Sequence, residues 1–392
     1  MSYDFDSFID RHNTSSLKFD FAKERGRPED VLSYWVADMD FPTAPEIIAA
    51  VTARAQNGIY GYTDVKEPYF AAVQSWYRNR FGYTVQREWL TVTPGVVFAV
   101  ALAIQAFTKK GDAVLIQNPV YYPFSETVVA ADRVLVSEPL VWHNGRYEID
   151  FSAFESAVVK NNVRLFLLCN PHNPGGRSWT RTELETIGRI CLRHNVIVVS
   201  DEIHSDFVWS PCTHTMFASI SPELEAITVT CTSPSKTFNL AGLQVSNIFV
   251  ANPSLNAAYR NALDAFGYSQ PPLMGLTACE AAYTNGTEWL SAAKAYIEAN
   301  IERTVSYLNT NEPRIRAYKP EATYLVWIDC HGLGVTDHEL NHAITNNAKV
   351  WLDAGRIFGK EGECFERINV CTSWAYLESG LSRLVAEFKK LG

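Results

Sequence analysis

The sequence has no long apolar run and relatively little positive charge. The longest strongly apolar stretch, Val96 to Ile104, is far shorter than the ~20 residues with which a helix crosses a bilayer. Met1 to Asp6 lacks the basic start and the apolar stretch of a secretory signal. Lysine and arginine number 34 against 43 aspartate and glutamate residues, a formal net charge of -9. These features argue against a membrane protein and against a general nucleic-acid or anionic-membrane surface, and we expect a cytoplasmic protein.

Closely spaced cysteines are also missing. The 8 cysteines are dispersed, without a Cys-x-x-Cys pair or a nearby histidine at metal-ligand spacing. Neither a disulfide framework nor a metal site is therefore expected. Cys169 and Cys231 lie in apolar or β-branched runs, where a free cysteine behaves as a small hydrophobe. We interpret most of the cysteines as reduced thiols that pack in the interior.

The length of the chain predicts two domains. Its 392 residues exceed the ~250 to 300 residues that a single hydrophobic core usually serves. The composition, 47% hydrophobic and 20% charged, is that of a globular protein that can bury a large core. No internal repeat or low-complexity linker marks a boundary.

Strand and helix patterns alternate through the middle of the chain. Leu90 to Thr93 predicts a strand, and the apolar run Val96 to Phe107 after the turn Pro94-Gly95 predicts a buried helix. Further strands are predicted at Ala113 to Ile116, Arg164 to Leu168, Val196 to Val199 and Ile227 to Thr230. Continuous apolar strands separated by helices indicate an α/β fold with a mainly parallel sheet covered on both faces.

The two ends of the chain have a different pattern. The first 44 or so residues are rich in loop signals, and Gly286 to Asn311 predicts a long helix. Strands are predicted after it at Tyr324 to Ile328 and Arg367 to Val370. We therefore predict a large domain over 45–285 and a smaller α+β domain formed by 1–44 and 286–392.

Polar residues and turns follow the predicted strands at their carboxyl ends. Gly95, Asn170, Asp201 and the segment Ser233 to Lys236 all occupy such positions. Because parallel sheets bind ligands beyond the carboxyl ends of their strands, we expect these residues to share one site.

Lys236 has an unusual sequence environment for a lysine. It follows small hydroxyl residues in Ser233-Pro234-Ser235 and is poorly placed as a solvated surface charge. A pyridoxal phosphate enzyme needs a lysine for a Schiff base, an acid for the pyridine nitrogen and donors for the phosphate. Lys236, Asp201 and the residues around them can supply all three, while a structural salt bridge is the alternative role for Lys236.

Short motifs spread along the chain carry a family resemblance. They are Trp35 to Phe41, Gly61-Tyr62, Thr93 to Val97, Asn118 to Phe124, Asn170 to Gly176, Asp201 to His204, Ser233 to Asn239 and Arg367 to Asn369. Through them the sequence resembles the aminotransferase-fold (class I/II) pyridoxal phosphate enzymes, and most of all the MalY/PatB group of cystathionine β-lyases. The resemblance covers nearly the whole chain and implies the aspartate-aminotransferase-like fold, fold type I.

The resemblance implies pyridoxal 5'-phosphate as the cofactor and assigns residues to it. Lys236 would form the Schiff base and remove the Cα proton of the substrate, and Asp201 would pair with the pyridine nitrogen. A helix N-cap is the alternative role of Asp201. Tyr121 would stack on the ring, and Tyr62 would reach the cofactor of a neighbouring subunit, which implies a homodimer with shared active sites. The other cofactor contacts are Gly95, Val96, Val97, Asn173, His204, Ser233 and Ser235.

The phosphate is expected where the helix predicted from Val96 begins, because the first amides and the dipole of a helix favour an anion. Gly95 lets the backbone approach closely. Ser233 is the expected hydroxyl ligand, and Ser235 is a candidate second donor. Many related aminotransferases carry an arginine where this chain has Gln244, so the phosphate is less completely neutralised here or is neutralised from elsewhere.

Arg367, Asn173 and Ala37 are assigned to the amino-acid substrate. A guanidinium group can hold the α-carboxylate in two parallel hydrogen bonds, and a surface ion pair is the alternative role of Arg367. Family members often have Cys-Pro-Arg where this chain has Cys371-Thr372-Ser373-Trp374, so we expect Trp374 to alter the distal substrate pocket.

The role of His204 is left open between cofactor contact and packing. His204 stands where many aminotransferases have a tyrosine that touches the phenolic oxygen of the cofactor, and the lyase group shares the histidine. Its alternative role is packing. Tyr122 is interpreted as core packing.

The resemblance implies an α,β-elimination on L-cystathionine or a related S-substituted cysteine, which yields a thiol, pyruvate and ammonia. An aminotransferase on the same scaffold is the first alternative, because both reactions begin with removal of the Cα proton. A regulatory protein that carries the cofactor is the alternative of another class.

Overall fold

The computed structural model describes residues 3–391. Its strands are β1 (Leu32–Ser33), β2 (Leu90–Thr93), β3 (Ala113–Ile116), β4 (Val134–Ser137), β5 (Val141–His143), β6 (Arg146–Glu148), β7 (Val163–Cys169), β8 (Ile197–Asp201), β9 (Thr228–Thr232), β10 (Ser246–Phe249), β11 (Arg316–Tyr318), β12 (Leu325–Asp329), β13 (Val350–Trp351), β14 (Asp353–Ala354) and β15 (Phe365–Asn369). Its α-helices are α1 (Pro45–Gln56), α2 (Glu67–Phe81), α3 (Val96–Phe107), α4 (Pro123–Ala130), α5 (Phe151–Lys160), α6 (Arg181–Arg193), α7 (Pro222–Glu225), α8 (Pro234–Thr237), α9 (Pro253–Ala265), α10 (Leu273–Asn285), α11 (Thr287–Asn311), α12 (Asp337–His342) and α13 (Trp374–Phe388).

A seven-stranded sheet forms the centre, in the order β2-β10-β9-β8-β7-β3-β4. β10 pairs antiparallel with both of its neighbours, and the pairs from β9 to β4 are parallel. The predicted α/β fold with a mainly parallel sheet is therefore confirmed.

Helices cover both faces of this sheet. In β3, Leu115 packs in a core cluster with residues of α5 and α6, whereas Val114 and Ile116 pack in another with α3, α4 and α9. Because successive side chains of a strand point to opposite faces, a sheet buried on both faces needs continuous apolar strands. This explains why the central strands lack the alternation of a half-exposed sheet.

The apolar helix α3 begins directly after the Pro94-Gly95 turn that follows β2. It has the predicted bounds, Val96–Phe107, and buries Val96, Ala99 and Val100 in its first turns. Gly95 precedes it with φ +116°, a left-handed conformation that favours glycine. The amino end of α3 therefore opens at the carboxyl edge of the sheet.

A smaller antiparallel sheet, β11-β12-β15-β14, follows the long helix α11. β1 pairs parallel with β13, so the amino-terminal segment lies beside the carboxyl-terminal part of the chain. The helix predicted from 286 and the strands predicted near 324 and 367 are confirmed. The domain boundaries at 44/45 and 285/286 stay predictions. Among residues 3–391, no helix combines the length and the apolar character needed to span a membrane.

Candidate active site

A cavity of about 310 Å³ lies at the carboxyl edge of the central sheet. It gathers most of the residues that the sequence assigned to a site. These are Ala37, Gly95, Val96, Val97, Tyr121, Asn173, Asp201, His204, Ser235, Lys236 and Arg367. The two others, Ser233 and Tyr62, do not line it. Residues from distant parts of the chain thus meet in one enclosed space.

Lys236 projects into this cavity from the short helix α8. Its Nζ donates to the carbonyl oxygen of Ala37 at 2.7 Å. The same carbonyl oxygen accepts from the hydroxyl of Tyr324 at 2.9 Å. Burial lowers the pKa of Lys236 to about 8, an effect that the nearby charge of Asp38 opposes. A neutral amine is thus far more accessible to Lys236 than to a solvated lysine.

Asp201 ends β8 and is 5% exposed. Its Oδ1 accepts from the backbone amide of Ile203 at 3.1 Å. Burial raises the pKa of Asp201 to about 7, although that hydrogen bond and the charge of Lys236 lower it. A turn follows Asp201 rather than a helix, so the N-cap role is wrong. A carboxylate with this pKa gains most from a cationic group placed against it.

The start of α3 forms a cradle for an anion. Its first amides have no partner within the helix, and a Cβ on Gly95 would meet only the Oε1 of Gln244 within 4 Å, at 3.8 Å. Gln244 Nε2 donates to the carbonyl of Ala241 at 3.1 Å. Lys236 and Arg367 are the cationic side chains among the cavity residues. Neither cation is contributed by Gln244, so the groups of this chain nearest the start of α3 are amides and hydroxyls.

The two serines before Lys236 have different positions. Ser235 lines the cavity, whereas the Oγ of Ser233 lies 2.7 Å from both Ser235 Oγ and the carbonyl oxygen of Val245. Ser233 Oγ also accepts from the amide of Ser235 at 3.1 Å. Ser233 thus contacts Ser235, which faces the cavity, and the role of Ser233 as the main hydroxyl ligand stays a prediction.

Tyr121 and Asn173 form one wall. The amide of Tyr121 donates to the carbonyl of Asn173 at 3.0 Å, which joins the two loops that follow β3 and β7. Burial raises the pKa of Tyr121, so its phenol stays neutral. Tyr122 is half-buried and packs against a core cluster as interpreted, and it also lines the cavity.

Arg367 is buried on β15, with 3% exposed. Its Nη1 donates to Asn173 Oδ1 at 2.8 Å and its Nη2 to the carbonyl of Trp35 at 2.9 Å. Nη2 also pairs with Asp353, which lies opposite Arg367 in the antiparallel β14–β15 register. Burial raises the pKa of Asp353 even though Arg367 opposes this. The alternative of a surface ion pair is therefore wrong.

The guanidinium of Arg367 still has capacity for a ligand. It lies 4.8 Å from the ring centroid of Phe358, and its Nε has no partner within residues 3–391. Asp353 was missed in the sequence, where the signal was an acid directly after the apolar pair Trp351-Leu352. A buried acid in such a place needs a cationic partner.

The segment Trp35 to Phe41 crosses one side of the cavity and is fixed by three residues. Asn369 Nδ2 donates to the carbonyls of Val36 and Asp38, each at 2.6 Å. Asn239 Nδ2 donates to the carbonyls of Met39 and Phe41 at 2.9 and 3.0 Å. Arg367 holds the carbonyl of Trp35. The Ala37 carbonyl is thereby presented to Lys236.

His204 lies in the cavity wall. This position is compatible with both of its expected roles, contact with the cofactor and packing. It is 3% exposed, and its ring meets that of Tyr324 edge to face at 5.8 Å. Its Nδ1 has no partner among the described residues. Burial lowers the pKa of His204 well below its usual value, so the ring is neutral.

Two residues lie away from the cavity. Tyr62 is 94% exposed, which excludes a role in the core of its own subunit. The ring of Trp374 packs against Arg303, whose guanidinium lies 5.3 Å from the ring centroid. The expectation that Trp374 shapes the substrate pocket is therefore wrong for this subunit's cavity.

The cysteines have the predicted state. All eight are free, and six of them are buried: Cys169, Cys191, Cys231, Cys279, Cys330 and Cys371. No group of three or more histidine, cysteine, aspartate or glutamate side chains suited to a metal ion occurs in the part of the chain that the structure describes.

The residues of the cavity fit pyridoxal phosphate. A buried lysine of lowered pKa, a buried acid of raised pKa and a helix amino end with an adjacent hydroxyl surround one space. The unpartnered His204 Nδ1 and Arg367 Nε are buried polar atoms, which ordinarily find hydrogen-bond partners. A ring with a basic nitrogen, a phenolic oxygen and a phosphate, together with an amino-acid carboxylate, offers complementary partners.

Comparison with known proteins agrees with this site. The family model of aminotransferase class I and II matches residues 30–384, so the chain belongs to that family. It is 42% identical to cystathionine beta-lyase PatB of Bacillus subtilis over 97% of this chain and 99% of that protein. Cystalysin from Treponema denticola, whose crystal structure contains pyridoxal 5'-phosphate, is 36% identical with a TM-score of 0.96, over 100% of both chains. The pyridoxal-phosphate-bound C-S lyase from Staphylococcus hominis is 32% identical with a TM-score of 0.93, over 99% of this chain and 98% of that one.

Proposed function

We propose that the protein is a pyridoxal phosphate-dependent carbon–sulfur β-lyase. Its substrate is an L-cysteine that carries a substituent on sulfur, such as L-cystathionine. The products are a thiol, pyruvate and ammonia. The observation that carries the proposal is the meeting of Lys236, Asp201 and Arg367 in one cavity, in a chain similar over its full length to PatB.

The residues of this chain divide the work of substrate binding and proton transfer. Arg367 holds the α-carboxylate of the substrate, and the neutral amine of Lys236 accepts the proton from Cα. Pyridoxal phosphate, when bound, supplies the electron sink for the charge left on Cα. Asp201 keeps a proton on the ring nitrogen of that group, because a buried carboxylate favours a neighbouring cation.

The elimination balances without a further reactant except water. The Cα–H and Cβ–S bonds break, a Cα=Cβ double bond forms, and sulfur leaves with the electron pair as a thiolate. The 2-aminoacrylate that is released takes up water and yields pyruvate and ammonia. No keto acid is consumed, and this separates the reaction from transamination.

Apolar exposure at one loop supports a homodimer with shared sites. Ile59, Tyr60 and Tyr62 are 69%, 64% and 94% exposed, an unusual concentration of large apolar side chains at a surface. We infer that this loop packs on a second copy and brings Tyr62 to the partner's cavity.

A cytoplasmic location is part of the proposal, since free cysteines are typical of a reducing compartment.

An aminotransferase is the second candidate. It is supported by the family to which the chain belongs and by a cavity that serves the first proton transfer of both reactions. A regulatory role finds no specific support in the described residues.

One measurement distinguishes the lyase activity from the aminotransferase activity. Purified protein loaded with pyridoxal phosphate is incubated with L-cystathionine or S-ethyl-L-cysteine, with and without 2-oxoglutarate, and pyruvate is measured with lactate dehydrogenase. We expect pyruvate and thiol in equal amounts without the keto acid. Product formation that depends on 2-oxoglutarate would instead identify a transferase.

A further inference from the structure

A second cavity of about 380 Å³ adjoins the reaction cavity. Trp35, Tyr122 and Asp353 line both spaces. The second cavity, which we call the annex, is otherwise lined by Arg25, Arg27, Ser125, Glu126, Trp351 and Ile357. The proton transfers proposed above use none of these six residues.

Arg25 offers the annex an available cationic group. Its guanidinium lies 5.0 Å from the ring centroid of Trp35, and the guanidinium nitrogens make no hydrogen bond or ion pair with residues 3–391. Arg27 differs, because its Nη1 donates to the Thr345 hydroxyl at 2.9 Å. The five N–H donors of Arg25 are therefore free for an anion, while stacking on an indole orients the group.

The wall beneath these arginines is flat, aromatic and buried. The rings of Trp35 and Trp351 stack with centroids 4.4 Å apart and an interplanar angle of 13°. They are 8% and 4% exposed. Arg25 itself is exposed, so a charged group bound against this wall loses water on the aromatic side only.

Tyr122 marks the junction between the two cavities. Burial raises the pKa of its hydroxyl, Asp353 raises it further, and Arg367 lowers it. Smaller effects of Glu126 and Arg25 act on the same hydroxyl. The carboxylate-binding arginine of the reaction cavity and the charges of the annex thus lie within electrostatic reach of one side chain.

We propose that the annex binds a leaving group that carries its own amino-acid end, with Arg25 holding the distal carboxylate and Glu126 the distal ammonium. The homocysteine part of cystathionine is such a group. The assignment rests on the proposed lyase function and names its substrate class. Arg25 and Arg27 are the basic residues of the annex, and Arg25 is the one of the two whose guanidinium makes no hydrogen bond or ion pair with the described residues.

The charge pattern favours a zwitterion over a simple alkyl thiol. Asp353 is already paired with Arg367, which leaves Arg25, Arg27 and Glu126 to face a ligand. A small alkyl group on sulfur carries no charge and would leave these charges unused. An amino acid with opposite charges on one carbon matches both signs.

Arg25→Gln separates the two kinds of substrate. We expect kcat/KM for L-cystathionine to fall about 10- to 30-fold, mainly through KM, because a hydrogen-bonded charge is lost. The value for S-ethyl-L-cysteine should stay within about twofold, since its leaving group does not use the annex. Arg25→Lys should recover part of the loss. Arg78→Gln, at an exposed arginine of α2, is the matched control and should leave both values unchanged.

A binding measurement tests the annex without turnover. L,L-2,7-diaminosuberate replaces the sulfur of cystathionine by a methylene group and has no leaving group, while L-norleucine lacks the distal charges. We expect Arg25→Gln to weaken calorimetric binding of diaminosuberate about tenfold and that of norleucine hardly at all.

The outcomes separate this inference from the lyase proposal. Equal losses for both substrates, or no loss for cystathionine, would overturn the annex. If the wild-type enzyme released no pyruvate from either substrate, the lyase proposal would fail. Diaminosuberate binding would then decide the annex by itself: selective weakening in Arg25→Gln would support it, and unchanged binding would reject it.

Discussion

The cofactor side and the substrate side of the cavity are built in different ways. Gly95 and Lys236 follow closely after strands of the central sheet and Asp201 ends another, so the fold brings them together through strand order. Arg367, by contrast, depends on Asp353 from a two-residue strand and on the backbone of the amino-terminal segment. The first side is set by the topology of the sheet and the second by long-range contacts, so they should tolerate change differently.

Loss of Lys236 should break the cofactor side most completely. In Lys236→Ala the phosphate cradle remains but the covalent and proton-transfer group is gone, so kcat should fall by about a thousandfold or more. Steady-state pyruvate release measures this. In the wild type, borohydride reduction followed by mass spectrometry should place the cofactor on Lys236, and an adduct on another lysine would contradict the assignment.

Asp201→Asn should have the next largest effect. The amide keeps the shape but cannot hold a proton on the ring nitrogen, so kcat should fall about a hundredfold while pyridoxal phosphate still binds. Absorbance of the bound cofactor and pyruvate release measure the two properties. Near-normal turnover in this variant would leave Asp201 a structural residue of the turn at Ile203.

The same variant tests the burial of Asp201 in the cofactor-free protein. Its pKa rises from 3.8 in the unfolded chain to about 7 in the fold, so the folded state keeps a proton that the unfolded state releases. The free energy of unfolding should therefore decline from pH 4 to pH 7 by about 2–4 kcal/mol from this group. Urea unfolding across this range should show that decline in the wild type relative to Asp201→Asn. Parallel curves would contradict the raised pKa.

The sequence could predict the cofactor side because its signals are local. The strand β2, the helix α3 and the acid at the end of β8 follow from apolar runs and from the residues directly after them. Even there, the direction of the Ser233 hydroxyl could not be predicted, because it depends on the carbonyl of Val245 on a neighbouring chain segment.

The substrate side was less predictable because its partners are far apart in sequence. Asp353 meets Arg367 only through the register of β14 and β15, and Tyr122 lines the cavity together with Trp35, which is far from it in sequence. The antiparallel β10 was also unpredicted, since nothing in Ser246 to Phe249 encodes direction. The motifs identified Arg367, but they did not identify Asp353 and the Trp35 carbonyl, which hold its guanidinium.

Tyr62 tests whether a third part of the site comes from the partner subunit. We expect Tyr62→Phe to lower kcat/KM about tenfold, as the loss of one oriented hydroxyl can do. Mixed with inactive Lys236→Ala under verified subunit exchange, half of the dimers carry both variants, and each of these has one intact site. Activity should then approach about a quarter of that of the wild type. Recovery no greater than the mean of the separate variants would contradict shared sites.

Gln244→Arg should have the smallest effect and act on the cofactor side alone. Gln244 is exposed and lies beside Gly95, so an arginine there adds positive charge near the phosphate cradle. We expect pyridoxal phosphate to bind about 3- to 10-fold more tightly at low salt, less so as salt rises, with kcat nearly unchanged. Gln244→Met, which removes the amide without adding charge, is the control and should not tighten binding. Equilibrium dialysis of pyridoxal phosphate measures the affinity of each variant. It is done without salt and at about 0.5 M salt, which screens exposed charges. If arginine gave no gain, amides and Ser235 already neutralise the phosphate, and the cofactor side would then be independent of this departure from its relatives.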